Sequence, residues 1–151
     1  MKSAAKGKGT KMGRVLTSIQ VENMDDLFAL KRGLIGRDEV RTVHVNDALV
    51  DTGATILSLP TRLIKELGLD FKYYRHTDTP VGLRRVKVFS SVRLSVEDRE
   101  CVVDVAEIRN SRAPALVGQI PLELMDFVID PRQGKITPNP AHDGKWMMEM
   151  Y

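Results

Sequence analysis

From Val86 to Val105 the chain alternates with a period of two, and no helix tolerates that pattern over such a length. Val86, Val88, Val92, Leu94 and Val96 share one parity, interrupted by Ser90, while Arg85, Lys87, Arg93 and Ser95 hold the other. A strand with one buried face has this repeat. Glu97-Asp98-Arg99-Glu100 supplies a turn, after which Cys101, Val103 and Val105 resume the apolar parity as a hairpin partner. The rest of the chain must pair with this hairpin or cover it.

Further strand signals surround it. Val15, Thr17, Ile19 and Val21 alternate with Leu16, Ser18 and Gln20 and predict a first strand. Two short strands, Arg41 to Val45 and Ala48 to Val50, are expected around a turn at Asn46-Asp47. Strands are also expected at Ala115 to Val117 and Phe127 to Ile129. Early acids, late bases and Gly33 mark a short helix after Asn23, and Pro60 with Gly68 brackets a two-turn helix whose apolar face is Leu63, Ile64 and Leu67. A third short helix is expected at Pro121 to Met125. Strands with two or three short helices fit a small β-rich barrel.

The bulk numbers narrow the function classes. At 151 residues, with 42% apolar and 28% charged residues, one globular domain is the simplest organisation. No apolar run approaches the ~20 residues of a membrane span, so no membrane partner is expected. The lysine-bearing start, MKSAAKGKGTK, has no apolar core behind it and does not read as a secretory signal, so cytoplasm is the expected compartment. Its four lysines exceed the net charge of +3, which leaves the other 140 residues slightly acidic and argues against a nucleic-acid partner. Residues 1–12 are expected to be a disordered basic tail, 13–140 the domain, and 141–151 a C-terminal extension. Met147-Met148-Glu149-Met150 suits a dimer seam or a frayed terminus. His44, His76 and His142 show no metal-ligand spacing, so no metal is expected, and Cys101 falls on the apolar parity as a buried thiol.

One stretch carries chemistry. The apolar run Ala48-Leu49-Val50 ends in Asp51-Thr52-Gly53-Ala54-Thr55. A solvated turn is one explanation of that string. The other is a paired carboxylate, because two carboxylates about 3 Å apart cannot both ionise, so one serves as acid and its neighbour as base toward water. Glycine after Asp-Thr permits close approach of the backbone, and the threonine hydroxyl can hold the loop.

This run resembles the active-site loop of retroviral-type (retropepsin-like) aspartic proteases, closest to their cellular and bacterial members. Pro114-Ala115-Leu116-Val117-Gly118-Gln119, followed by a short helix, resembles the segment that crosses beneath that loop in the family. Pro80-Val81-Gly82-Leu83, before a long hairpin, falls where the family places its flap. The resemblance covers roughly residues 41 to 130 and implies a small closed β-barrel of the retropepsin type, one lobe per chain. It implies Asp51 as the catalytic residue, supported by Thr52 and Gly53. Ala54, Thr55, Leu116 and Val117 would line the substrate cleft, and Val81, Gly82 and Leu83 would close over it. No cofactor is implied.

Asp-Thr-Gly occurs once in the chain; Asp78-Thr79-Pro80 has proline in the glycine's place. The second carboxylate would therefore come from a homodimer mate across a two-fold axis. Thr55 and Gln119 stand where viral relatives carry a paired Asp and Arg, and a neutral hydrogen bond between them is expected. The flap departs further, with one glycine followed by Arg84-Arg85. Two functions fit this sequence: a homodimeric endopeptidase acting on peptide or protein substrates, and a dimeric peptide-binding or assembly module with weak or no catalysis. Asn23 to Val40 is an addition to the compact viral pattern.

Overall fold

A computed structural model describes residues 14–148 and 150. The predicted 1–12 tail lies outside the described residues. The fold is mainly β. Nine strands occur among the described residues: β1 (Leu16–Asn23), β2 (Thr42–Val50), β3 (Leu57–Pro60), β4 (Phe71–Thr79), β5 (Gly82–Val96), β6 (Arg99–Ile108), β7 (Leu116–Val117), β8 (Phe127–Asp130) and β9 (Lys135–Pro138). Three short helices accompany them: α1 (Met24–Lys31), α2 (Thr61–Leu67) and α3 (Gln119–Met125). The longest has eight residues, and none is long and apolar enough to cross a membrane.

Seven strands form one sheet in the order β1-β2-β7-β3-β6-β5-β4, and β1 also pairs with β5. Six strands thus make a sheet ring, with β4 attached outside it. β8 and β9 form a separate hairpin. Inside the ring pack Val21, Val50, Leu57, Leu59, Leu94, Val105 and Val117, all at or below 5% exposure, with Leu67 and Met125 sealing it from α2 and α3. Each such side chain contributes on the order of 1.5–3 kcal/mol by leaving water.

Two sequence expectations change at β-bulges. Asn46-Asp47 makes no turn; β2 runs unbroken from Thr42 to Val50, and the register against β1 slips by one residue between Val45 and Ala48. A bulge absorbs two adjacent polar residues without ending the strand. The second bulge lies at Ser90-Ser91, where β5 advances three residues from Phe89 to Val92 while β6 advances two. It exchanges the faces. Phe89, Val92, Leu94 and Val96 look into the ring with Cys101, Val103 and Val105, whereas Val86 and Val88 belong to the opposite face with Ala106. The parity shared by Val86 and Val96 in the sequence is therefore not one face.

Other elements follow their local signals. Asn23 caps α1 by accepting from the Asp26 N–H, and Gly68 closes α2 in the left-handed region at φ 65°, as its position predicts. The turn after β5 is shorter than predicted: Glu97 and Asp98 turn alone, Glu97 at φ 55°, and Arg99 already begins β6 as a buried residue. β3, β4 and β9 carry no clear period in the sequence.

Buried charge ties the ring to the added segment after Asn23. Glu22, fully buried on β1, accepts from Arg37 at 2.9 Å and from Arg93 of β5 at 2.8 Å. Asp26 takes a two-pronged contact from the Arg41 guanidinium, at 2.8 and 2.9 Å, and also the Arg41 N–H. The Arg41 hydrogen bond outweighs burial and holds the Asp26 carboxyl below its ordinary range.

The chain after β9 is held rather than frayed as far as Met147. Arg99 donates to the carbonyls of Met125, Asp126 and Gly144 and lies over the Phe127 ring. Asp126, left-handed at the end of α3, accepts from His142 Nδ1, Asn139 and the Met147 N–H, and Trp146 donates to the Leu124 carbonyl. Met148 and Met150 are exposed.

The His142 hydrogen bond, aided by those of Met147 and Asn139 and by the charge of His142, outweighs burial and holds the Asp126 carboxyl below its ordinary range. A depressed carboxyl stabilises the fold above its unfolded value, and that contribution disappears as the pH falls through the folded one. Trp146 is the sole tryptophan, so its fluorescence reports the attachment. Emission should hold constant from neutrality down to the ordinary carboxyl range and shift to a solvated spectrum below it. Asp126→Asn should show the shifted spectrum already at neutral pH; an unchanged spectrum in that variant would mean that Asp126 does not hold the segment.

Candidate active site

Asp51 follows the last residue of β2, a strand gripped on both sides. On one side lies β1, and Val15, the residue before it, accepts from the Val50 N–H at 2.8 Å. On the other lies β7, parallel to β2 with Leu49 opposite Leu116 and Val50 opposite Val117. The Leu49 N–H donates to Ala115 at 2.8 Å and the Asp51 N–H to Val117 at 3.0 Å. With both edges paired, the direction in which the chain delivers Asp51 is fixed.

The loop then folds back on the carboxylate. The Gly53 N–H donates to Asp51 Oδ1 at 2.9 Å, and the Ala54 N–H to the Asp51 carbonyl at 3.0 Å. Asp51 is half-buried, and Thr52 and Gly53 are exposed. One carboxylate oxygen is thus oriented by the backbone, at the open end of the strand.

Gly118 explains why the segment after β7 carries a glycine. The Gln119 N–H donates to the Ala54 carbonyl and the Ile120 N–H to the Thr55 carbonyl, both at 2.9 Å. These bonds pull the start of α3 against the Asp51 loop. A Cβ on Gly118 would lie 2.5 Å from the Ile56 carbonyl oxygen and 2.6 Å from that of Ala54, closer than real Cβ contacts come. The close approach requires glycine here.

The structure brings Asp51, Thr52, Gly53, Ala54 and Thr55 together with Leu116 and Val117. Two details differ from the expectation. Val117 is fully buried in the core and cannot line a surface cleft, whereas Leu116 and Ala54 are half-buried at the surface. The Thr55–Gln119 side-chain bond is replaced: Gln119 Nε2 donates to Glu123 at 2.9 Å, one helical turn on, and backbone bonds alone join the two segments. Val81, Gly82 and Leu83 occupy the tip of the β4–β5 hairpin, with Val81 and Leu83 strongly exposed.

A groove of about 500 Å³ lies elsewhere, walled by His44, Asp47, Arg62, Arg112 and Pro114, and does not include Asp51. Cys101 is buried, which pushes its thiol up to about 11 and removes it as a nucleophile. Among the described residues no three His, Cys, Asp or Glu side chains converge. Sequence reasoning missed Glu22, Asp26, Arg99 and Asp126, the buried charges that hold the ring and its ends. The one signal of the three acids is a carboxylate within or beside an apolar run, as at Val21-Glu22 and Met125-Asp126; Arg99, among Glu97, Asp98 and Glu100, has none.

The two glycines should respond differently to a methyl group. Gly118→Ala forces backbone apart and should cost about 2–4 kcal/mol in chemical denaturation. Gly53→Ala meets only the Asp51 carboxylate, at 3.1 Å, and should cost less, about 0.5–1.5 kcal/mol. Equal losses would show that the crossing at Gly118 is slacker than described. In comparison with known proteins, no family model and no curated protein matches the chain.

Proposed function

We propose that the chain is a homodimeric aspartic endopeptidase of the retropepsin-like type, its ring serving as one barrel lobe per protomer. The observation that carries this proposal is the delivery of the Asp51 carboxylate. It sits half-buried at the open end of a doubly paired strand, one oxygen is held by the Gly53 N–H, and the Gly118 crossing supports it from beneath. A solvated turn needs none of this support.

Two Asp51 residues, one per chain, would share a proton across the two-fold axis. The ionised member takes a proton from water, which attacks the peptide carbonyl carbon, while the protonated member gives its proton to the carbonyl oxygen. Transfer of a proton to the amide nitrogen then lets the C–N bond break. No cofactor takes part. Thr52, exposed in the protomer, would bond across the axis; Ala54, Thr55 and Leu116 would floor the cleft, and Val81, Gly82 and Leu83 would cover it.

One observation favours a second function, a dimeric module that binds peptides without cutting them. The hairpin tip is a tight turn at Pro80-Val81 with a single glycine, Gly82 at φ 115°, in place of a glycine-rich tip. Such a tip has less freedom to close over a substrate.

Cleavage of a peptide library separates the two. Wild-type chain should cut on the acid side of neutrality with a bell-shaped pH profile, since one member of the pair must be protonated. Asp51→Asn should be folded and inactive. Activity should fall roughly as the square of concentration below the dimer Kd. Excess Asp51→Asn mixed into wild type should suppress cleavage by forming mixed dimers with one carboxylate. Cleavage that is linear in concentration and indifferent to the mixed-in variant would refute the shared dyad; peptide binding without cleavage would favour the second function.

A further inference from the structure

The β4–β5 hairpin differs from the rest of the molecule in charge and in edge. Residues 71–89 carry five cations, Lys72, Arg75, Arg84, Arg85 and Lys87, against one acid, Asp78, in a chain whose net charge is +3. All five are exposed, and none forms an ion pair among the described residues, whereas Arg37, Arg41, Arg93 and His142 all do. Outside the first eleven residues and this arm, Asp and Glu outnumber Lys and Arg.

β4 pairs with β5 alone and ends the sheet, so its outer side is an open edge nine residues long, exposed from Phe71 to Asp78 and free of proline. Every second residue along such an edge turns its N–H and C=O outward. The cations occur on both faces of this arm. Register pairs Tyr74 with Lys87 and His76 with Arg85 on one face, and Arg75 with Val86 and Thr77 with Arg84 on the other.

We infer that the outer edge of β4 is a docking site for an extended acidic peptide, which adds to the sheet as a further strand. The inference rests on the peptide-handling function only for the class of ligand; it needs no cleavage by Asp51. Backbone bonds supply the pairing and alternate side chains supply the selectivity, as in other strand-addition sites. Charge on an open edge normally repels a second strand. An acidic strand is the partner for which the same charges attract, and its side chains meet a cation whichever face they take.

The aromatic residues of the arm argue against single-stranded nucleic acid. Such a ligand needs open ring faces for its bases. The Arg85 guanidinium covers Tyr74 at 4.1 Å, Lys87 lies 5.9 Å from Phe71, and Phe71 packs on Tyr74 and Phe89 at 4.9 and 6.1 Å. The Tyr73 hydroxyl is committed to Asp104 at 2.8 Å. Arm placement also connects the edge to the candidate active site: one lateral row of register runs Val50–Val117–Leu57–Val105–Phe89–Phe71, from the residue before Asp51 to the base of β4.

Fluorescence anisotropy on full-length Asp51→Asn tests this without interference from cleavage. The probes are a labelled peptide of alternating Glu and Val, its Glu→Gln counterpart, a backbone N-methylated copy, and an oligothymidylate. The acidic peptide should bind, and more weakly as salt rises. Binding of the Gln and N-methylated peptides should be weaker by about tenfold or more, because each loses one of the two sources of affinity. Arg75→Glu/Arg84→Glu/Arg85→Glu should lose the acidic peptide to a similar degree while its circular dichroism stays that of the parent; the peptide arms decide the matter if that variant does not fold. Equal binding of the Gln peptide, indifference to N-methylation, tighter binding of the oligothymidylate, or no binding at all would overturn the inference. A wild-type chain that bound the peptide at β4 but cut nothing would refute the peptidase alone, and one that cut peptides without edge binding would refute the edge alone.

Discussion

The double pairing of β1 is the constraint on which the rest of the molecule depends. From Leu16 to Glu22 it pairs with β2, and from Gln20 to Asn23 also with β5, so the two ends of the six-strand ring meet on it. A strand hydrogen-bonded on both sides cannot slide without breaking two ladders. Closure removes free edges from the ring and encloses one apolar core. It also places Glu22 directly opposite Arg93 at the closing seam, so the ion pair buried there joins the first and fifth strands. A buried pair of this kind adds little net stability, but losing one partner is costly, so the pair disfavours other registers at that seam.

The candidate site inherits its order from that closure. β2 lies between β1 and β7, and its end is the Asp51 loop. The loop needs no buried charge or metal to keep its shape. Four backbone–backbone hydrogen bonds around Asp51, Ala54, Thr55 and their partners set it, together with the Gly53 N–H bond to the Asp51 carboxylate and one position where only glycine fits. Geometry held by backbone is less sensitive to side-chain identity than geometry held by packing. The Thr55 and Gln119 side chains can therefore serve other partners while the crossing persists.

Much of this was legible in the sequence, and the misses have physical causes. Helices α1 and α2 announced themselves through Asn23, Gly33, Pro60 and Gly68, because caps are local chemistry. The Asp51 loop and the Gly118 segment were recognisable because both depend on specific residue types at fixed spacing. Face assignment along β5 was not recoverable: a bulge at Ser90-Ser91 leaves no mark in hydropathy, since Val86 and Val88 keep the parity of Val92 to Val96 while their side chains go to the other face. β4 escaped notice for a related reason. Both of its faces are exposed, so nothing in burial selects a period, and its strand character comes from pairing with β5. The burial of Arg99 and Val117 likewise depends on what the completed ring places over them, the end of α3 in one case and the core in the other.

The bulge at Ser90-Ser91 also separates two kinds of selective pressure along a single strand. Residues after it, with Val88 and Phe89 just before it, answer to packing, where a single methyl group matters; residues 82–87 answer to water and to whatever the hairpin meets. The hairpin tip lies far from the ring's own ladders, so adding or removing cross-strand pairs there would change the reach of the arm while leaving every register inside the ring intact. Reach and charge of the arm are thus free to diverge between descendants of this chain, while the core and the Asp51 loop stay fixed.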